Sequence, residues 1–130
     1  MVVDTSALVA VIFGEPHSEH LEARLLADPQ PLMSAGTLLE CTIVLDARKG
    51  PAATRQLDEL LRALHFRIVA VHAEQVAVAL AGFRRYGKRR HEAGLNFGDC
   101  LAYGLAITMD APLLFKGDAS LQTDVRSALA

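Results

Sequence analysis

The chain has 130 residues, is 52% hydrophobic and carries a formal charge of only −2. That length supports one domain with its own core. No charge-free run approaches the ~20 apolar residues of a membrane span, no basic segment precedes the apolar N-terminus as in a signal peptide, and two cysteines make no disulfide framework, so a soluble protein of a reducing, cytoplasmic compartment is expected.

Met1-Val2-Val3 reads as a short strand buried on both faces. Thr5 and Ser6 are expected to cap a helix over Ala7–Phe13, which has no polar face and must be buried. Asp4 thus falls at the carboxyl end of a central strand, the edge of an open α/β sheet where ligands bind. A charge there needs a partner or a metal, because burying it alone is costly; an Asp that only caps the helix would read the same way.

Gly14 ends this helix and Glu15-Pro16 opens a second, striped by Leu21, Leu25 and Leu26 and stopped at Asp28-Pro29. His17 and His20 are expected on one face of it, as ordinary surface residues. Leu32-Met33 forms a strand, and Ser34 caps a helix that runs to Lys49 and stops at Gly50. Within that helix the neighbours of Glu40 at helical spacing are Gly36, Thr37, Ile43 and Val44, none charged, while the polar face runs through Asp46 and Lys49. A Glu off the polar face points to function.

Pro51 starts a helix striped by Leu57, Leu60, Leu61 and Leu64; Phe66–Val71 is a strand; His72 is expected to cap a helix from Ala73 to about Tyr86. At its end Arg84, Arg85, Lys88, Arg89 and Arg90 crowd into seven residues, and the rest of the chain holds 8 basic against 15 acidic residues, a balance of −7. Such a patch meets phosphates, although a solvated helix end has the same composition. Asn96 or Gly98 opens a helix that reaches Met109, with Asp99 in its first turn sharing a face with Ala102, Tyr103 and Ala106. Cys41 and Cys100 each follow an acid by one residue and read as core thiols. Pro112–Phe115 is the last clear strand, followed by Lys116-Gly117-Asp118, and Thr123-Asp124-Val125 is expected to start a short edge strand.

The alternation of strands and helices predicts a single α/β domain over 1–130 with a parallel sheet. Such a sheet brings Asp4, Glu40, Asp99 and Asp118, from four separate segments, to one edge. Acids gathered there repel, so some are neutral or a divalent cation balances them. Oxygen-only ligands select Mg²⁺ or Mn²⁺, and a site of that kind clamps phosphodiester oxygens and activates water for in-line attack.

Two stretches add a family resemblance. Met1-Val2-Val3-Asp4-Thr5-Ser6-Ala7-Leu8-Val9-Ala10 resembles the opening of PIN-domain ribonucleases, particularly the VapC-type toxins of toxin–antitoxin pairs. Leu95-Asn96-Phe97-Gly98-Asp99-Cys100, with Tyr103-Gly104-Leu105-Ala106 behind it, resembles their central acidic motif, and Glu40 and Leu113–Asp118 fall where the family carries its other motifs. The resemblance covers essentially the full length. It implies a three-layer α/β/α sandwich, with Asp4, Glu40 and Asp99 as metal-binding acids and Thr5 or Ser6 and Asn96 as hydrogen-bonding support. It further implies Mg²⁺-dependent endonucleolytic cleavage of RNA, a small antitoxin that blocks the site, and a homodimer. One departure stands out: relatives usually place an acid and then Phe after Lys-Gly-X, where this chain has Ala119 and Ser120. The fourth acid is then Asp118, Asp124 or missing.

Two other classes compete. A phosphate-accepting receiver domain wants an acceptor Asp after its third strand, where this chain has Val71-His72. A non-catalytic RNA-binding module would use the basic stretch but would not need Glu40 and Asp99 on apolar faces.

Overall fold

The computed structural model describes residues 1–129. In chain order these form β1 (Val2–Val3), α1 (Thr5–Ile12), α2 (Glu19–Ala27), β2 (Leu32–Ser34), α3 (Ala35–Lys49), α4 (Pro51–Ala63), β3 (Arg67–Val69), α5 (Ala73–Tyr86), α6 (Phe97–Thr108), β4 (Leu113–Leu114) and a 3₁₀ turn at Ala119–Gln122. The strands make one parallel sheet in the order β3-β2-β1-β4. On one face the helices α1 to α4 pack through Leu8, Leu25, Leu45 and Leu57; on the other, α5 and α6 pack through Tyr86, Tyr103 and Leu105. This is a three-layer α/β/α sandwich. The strands are only two or three residues long, so their ladder bonds alone hold little. Each fully buried leucine contributes roughly 1.5–3 kcal/mol, and the helical layers fix the sheet.

Val2 lies in register with Leu32 on one side and Leu113 on the other. The chain steps outward from β1 to β2 and β3, then returns to the opposite flank of β1 as β4. The crevice at the carboxyl ends of β1 and β4 is therefore the switch point of the sheet, where ligands bind in open α/β folds. Among the described residues no helix is long and apolar enough to cross a membrane.

Several local expectations are corrected. Asp4, not Thr5 or Ser6, caps α1, with its side chain accepting from the Ser6 backbone N–H. Helix α2 starts at Glu19 rather than at Glu15-Pro16, because His17 has a left-handed φ of 65° that no helix accommodates. His17 thus precedes the helix and shares no helix face with His20. Leu26 is 64% exposed and leaves the α2 stripe to Leu21 and Leu25. Strand β3 is confined to Arg67–Val69. His72 occupies the N-cap of α5 but its side chain makes no capping bond. Thr123–Val125 forms no strand: a 3₁₀ turn precedes it, and only an isolated bridge, Leu113 to Ser127, extends the pairing there.

Candidate active site

Asp4 leaves β1 in an extended conformation and turns into α1. Its Oδ2 accepts hydrogen bonds from the Ser6 backbone N–H at 3.1 Å and the Ser6 hydroxyl at 2.6 Å. The Ser6 hydroxyl oxygen in turn accepts from the Lys116 backbone N–H at 2.9 Å, which ties the end of β4 to the start of α1. The other oxygen of Asp4, Oδ1, is buried with no partner. Burial pushes the Asp4 carboxyl up to about 6; the two Ser6 bonds oppose that rise, and the charges of Asp99 and Glu40 add to it.

Glu40 reaches this group from the second turn of α3. The Thr5 hydroxyl donates to its Oε1 at 2.5 Å. Its carboxylate lies flat against Gly98 in α6, where a Cβ would fall 1.6 Å from Oε2 and 2.4 Å from Cδ. Any side chain at 98 would occupy the place of the Glu40 carboxylate. Of the uncharged neighbours expected around Glu40, Thr37 is buried, Gly36 and Val44 are half-buried and Ile43 is 59% exposed.

Asp99 sits at the third position of α6 in a capping box with Asn96. The Asn96 backbone N–H donates to Asp99 Oδ2 at 3.0 Å, and the Asp99 N–H donates to Asn96 Oδ1 at 2.9 Å. The capping role and the apolar face therefore coexist. Burial raises the Asp99 carboxyl above the ordinary range, against the Asn96 bond that lowers it.

Asp4, Glu40 and Asp99 thus converge, and each has one oxygen held by a neighbour: Ser6, Thr5 and Asn96 respectively. As placed, no three His, Cys, Asp or Glu side chains among the described residues stand close enough together to chelate an ion. The donor set nonetheless suits a hard divalent cation: all ligands are oxygen, each acid keeps a second oxygen, and one of those is buried and unpartnered. Such a cation would offset the repulsion of Asp99 and Glu40 on the Asp4 carboxylate.

Asp118 does not join them. It is exposed beyond Gly117, whose φ of 97° turns the chain, and its charge is not among those acting on Asp4. Asp124 accepts the Tyr103 hydroxyl at 2.8 Å and is committed to α6. The basic residues Arg84, Arg85, Lys88, Arg89 and Arg90 are all exposed and, among the described residues, make no ion pair. Arg85 stacks on Tyr86 at 4.9 Å and Arg90 on Phe83 at 5.6 Å. The thiols are inert: burial pushes Cys41 up to about 12 and Cys100 to about 11. The sequence reading missed the packing role of Gly98, although a glycine in a helix's first turn beside an acid was a visible signal.

The PIN-domain family model matches residues 1–125. Among curated relatives, ribonuclease VapC30 of Mycobacterium tuberculosis is 50% identical over 125 residues, covering 96% of this chain and 95% of that protein. Ribonuclease VapC of Mycolicibacterium smegmatis is 49% identical over 125 residues, covering 96% of this chain and 97% of that one. Among solved structures, Mycobacterium tuberculosis VapC20, described as a sarcin–ricin loop cleaving toxin, superposes with a TM-score of 0.72 at 22% identity, covering 96% of this chain and 98% of that one. VapBC2 of Rickettsia felis, bound to a DNA fragment from its promoter, superposes with a TM-score of 0.72 at 19% identity, covering 93% of this chain and 90% of that one. At those identities the two structures bear on the fold, and it is the same fold. The motifs around Asp4 and Asp99 and the full-length match to ribonucleases at half identity place the chain in the PIN-domain family, on the branch of the VapC ribonucleases.

Proposed function

We propose that this chain is the toxin of a type II toxin–antitoxin pair, an endoribonuclease that hydrolyses RNA phosphodiesters with Mg²⁺, or Mn²⁺ in its place, held by Asp4, Glu40 and Asp99. The observation that carries this reading is the unpartnered, buried Oδ1 of Asp4, in a carboxyl on which the charges of two further acids, Asp99 and Glu40, act. The cation, when bound, polarises the phosphoryl oxygen and acidifies water. Thr5 orients Glu40, Ser6 orients Asp4 and Asn96 orients Asp99, so each acid offers its free oxygen from a fixed position. Asp118 is the peripheral fourth acid of this proposal, acting through water from the rim; Asp124 serves the fold through Tyr103.

The test is cleavage of single-stranded RNA by the purified chain, freed of any partner. Cleavage is expected with Mg²⁺ or Mn²⁺, none in chelator, and none for Asp99→Asn. RNA binding that persists in chelator, with no cleavage under any metal, would instead establish the non-catalytic binding module.

The five cations contribute affinity in this reading. In the Asp99→Asn background, replacing Arg84 and Arg90 by Ala should weaken RNA binding and lower the salt slope by about 0.7 per lost phosphate contact on a single strand. An unchanged slope would return the stretch to a solvated helix end.

The proposal includes a small cognate antitoxin that blocks the site, and a homodimer. Leu39, Ile43, Val76, Leu80 and Phe97 are exposed, and a groove of about 360 Å³ between α5 and α6 is lined by Val76, Leu80, Phe83 and Phe97. This is the kind of apolar surface that partners cover. Two buried free thiols suit a cytoplasmic, reducing location.

A further inference from the structure

Thr37 is 0% exposed, and its hydroxyl has no hydrogen-bond partner. Leaving a buried hydroxyl unpaired costs about 1–3 kcal/mol. Other helix threonines in this chain avoid that cost: Thr42 donates to the Leu38 carbonyl at 2.8 Å and Thr108 to the Gly104 carbonyl at 2.7 Å. Thr37 stands in the first turn of α3, and the residue four positions before it, Met33, belongs to β2. Among the described residues only one other buried side-chain polar atom lacks a partner, and it is Asp4 Oδ1.

The fold brings the two into one neighbourhood. Val2 pairs with Leu32 in a parallel register, which sets Asp4 beside Ser34 at the same edge of the sheet. Ser34 caps α3 through the Gly36 N–H, and Thr37 follows in that turn. Glu40 is reached by the hydroxyl of Thr5, the neighbour of Asp4. Ser34, beside Asp4 in the register, and Glu40, reached from Thr5, therefore stand three positions before and three positions after Thr37 along α3.

We propose that Thr37 is a positioning residue of the acidic site: its hydroxyl, through one bridging water shared with Asp4 Oδ1, fixes the inner side of the Asp4 carboxylate toward a bound divalent cation. A buried water with two to four polar partners is an ordinary structural element, and outer hydrogen bonds of this kind set ligand orientation. The inference rests on the metal-site reading given above.

The test titrates Mn²⁺ into the RNA-free protein, followed by calorimetry and by thermal unfolding. Thr37→Val keeps the shape and removes the hydroxyl; Thr37→Ser keeps the hydroxyl. Thr37→Val is expected to need at least about tenfold more Mn²⁺ for half-saturation, and Thr37→Ser to stay within about threefold of wild type. Without metal, Thr37→Val should melt within about 5 °C of wild type, because only one water-mediated hydrogen bond is lost and the methyl group keeps the packing. Wild-type Mn²⁺ affinity in Thr37→Val overturns the proposal, as does an equal loss in Thr37→Ser. A metal-free melting point well below wild type for Thr37→Val overturns it too, since the hydroxyl would then serve the fold. If wild type and Asp4→Asn alike show no response to Mn²⁺, the metal-site reading itself has failed.

Discussion

Asp4→Asn is expected to melt higher than wild type without metal and to cleave RNA at least about a hundredfold more slowly with it. The two effects share one cause. In the folded chain the Asp4 carboxyl titrates near about 6, raised from 3.8 by burial. Between those values the folded state keeps a proton that the unfolded chain has released, so metal-free stability falls as pH rises from about 4 to about 6 and is level above. At pH 7.5 the ionised carboxylate lowers metal-free stability by about 3 kcal/mol. Asn has no charge to bury, and its carbonyl oxygen can still accept from the Ser6 N–H, so the cap survives. Denaturation at pH 7.5 and pH 4, with and without Mg²⁺, checks this. The stability advantage of Asp4→Asn should vanish at pH 4 and shrink when Mg²⁺ is added, because only the wild type gains from the ion. A variant no more stable than wild type at pH 7.5 would mean that Asp4 is not desolvated in solution.

Gly98→Ala should separate activity from stability in the other direction. The three atoms nearest the added Cβ all belong to the Glu40 carboxylate, with Oε2 at 1.6 Å and Oε1 at 2.7 Å. That carboxylate is the far end of a flexible side chain, so it can swing away at small cost to the fold, while Ala in place of Gly favours the helix by about 1 kcal/mol. Glu40 then leaves both Gly98 and Thr5. The melting temperature is expected to hold or rise, and cleavage at saturating Mg²⁺ to fall by at least about tenfold, as when one positioned charge leaves an electrostatic site. Wild-type activity in Gly98→Ala would show that Glu40 contributes nothing where it stands.

Much of this site could be read from residue order because its acids announce themselves locally. Asp4 interrupts an apolar opening and Asp99 is the sole charge of an apolar helix, so each needs an explanation in one dimension. Asn96 was one of the two helix starts expected there, and its capping box with Asp99 appears only in the structure. The parallel sheet followed from strands alternating with helices. What could not be read depends on three-dimensional approach. The contact of Glu40 with Gly98 joins residues 58 positions apart, and no periodicity records it. The start of α2 was misplaced because Pro16 favours a first turn while His17, next to it, takes a left-handed conformation that composition does not reveal. Residue order favoured Asp118, just past the last strand, over Asp124 as the fourth acid, but it could not show that the Tyr103 hydroxyl claims Asp124.

The central strand β1 has one flank served early and the other late. Its pairing with β2 involves residues near position 32, but Asp4 receives its second flank only from β4, where its N–H donates to the Leu114 carbonyl at 2.9 Å. Lys116 closes the same seam through Ser6. During synthesis, a chain that has not yet extended past residue 116 has Asp4 on an open sheet edge, with Ser6 lacking the contact that steadies it. The cleft is therefore finished only once β4 has been made, after every other strand and α-helix described. A chain cut before Leu113 would keep β1, β2 and β3 yet leave Asp4 without its second flank, so the acidic cleft is closed by a residue 110 positions from the one it steadies.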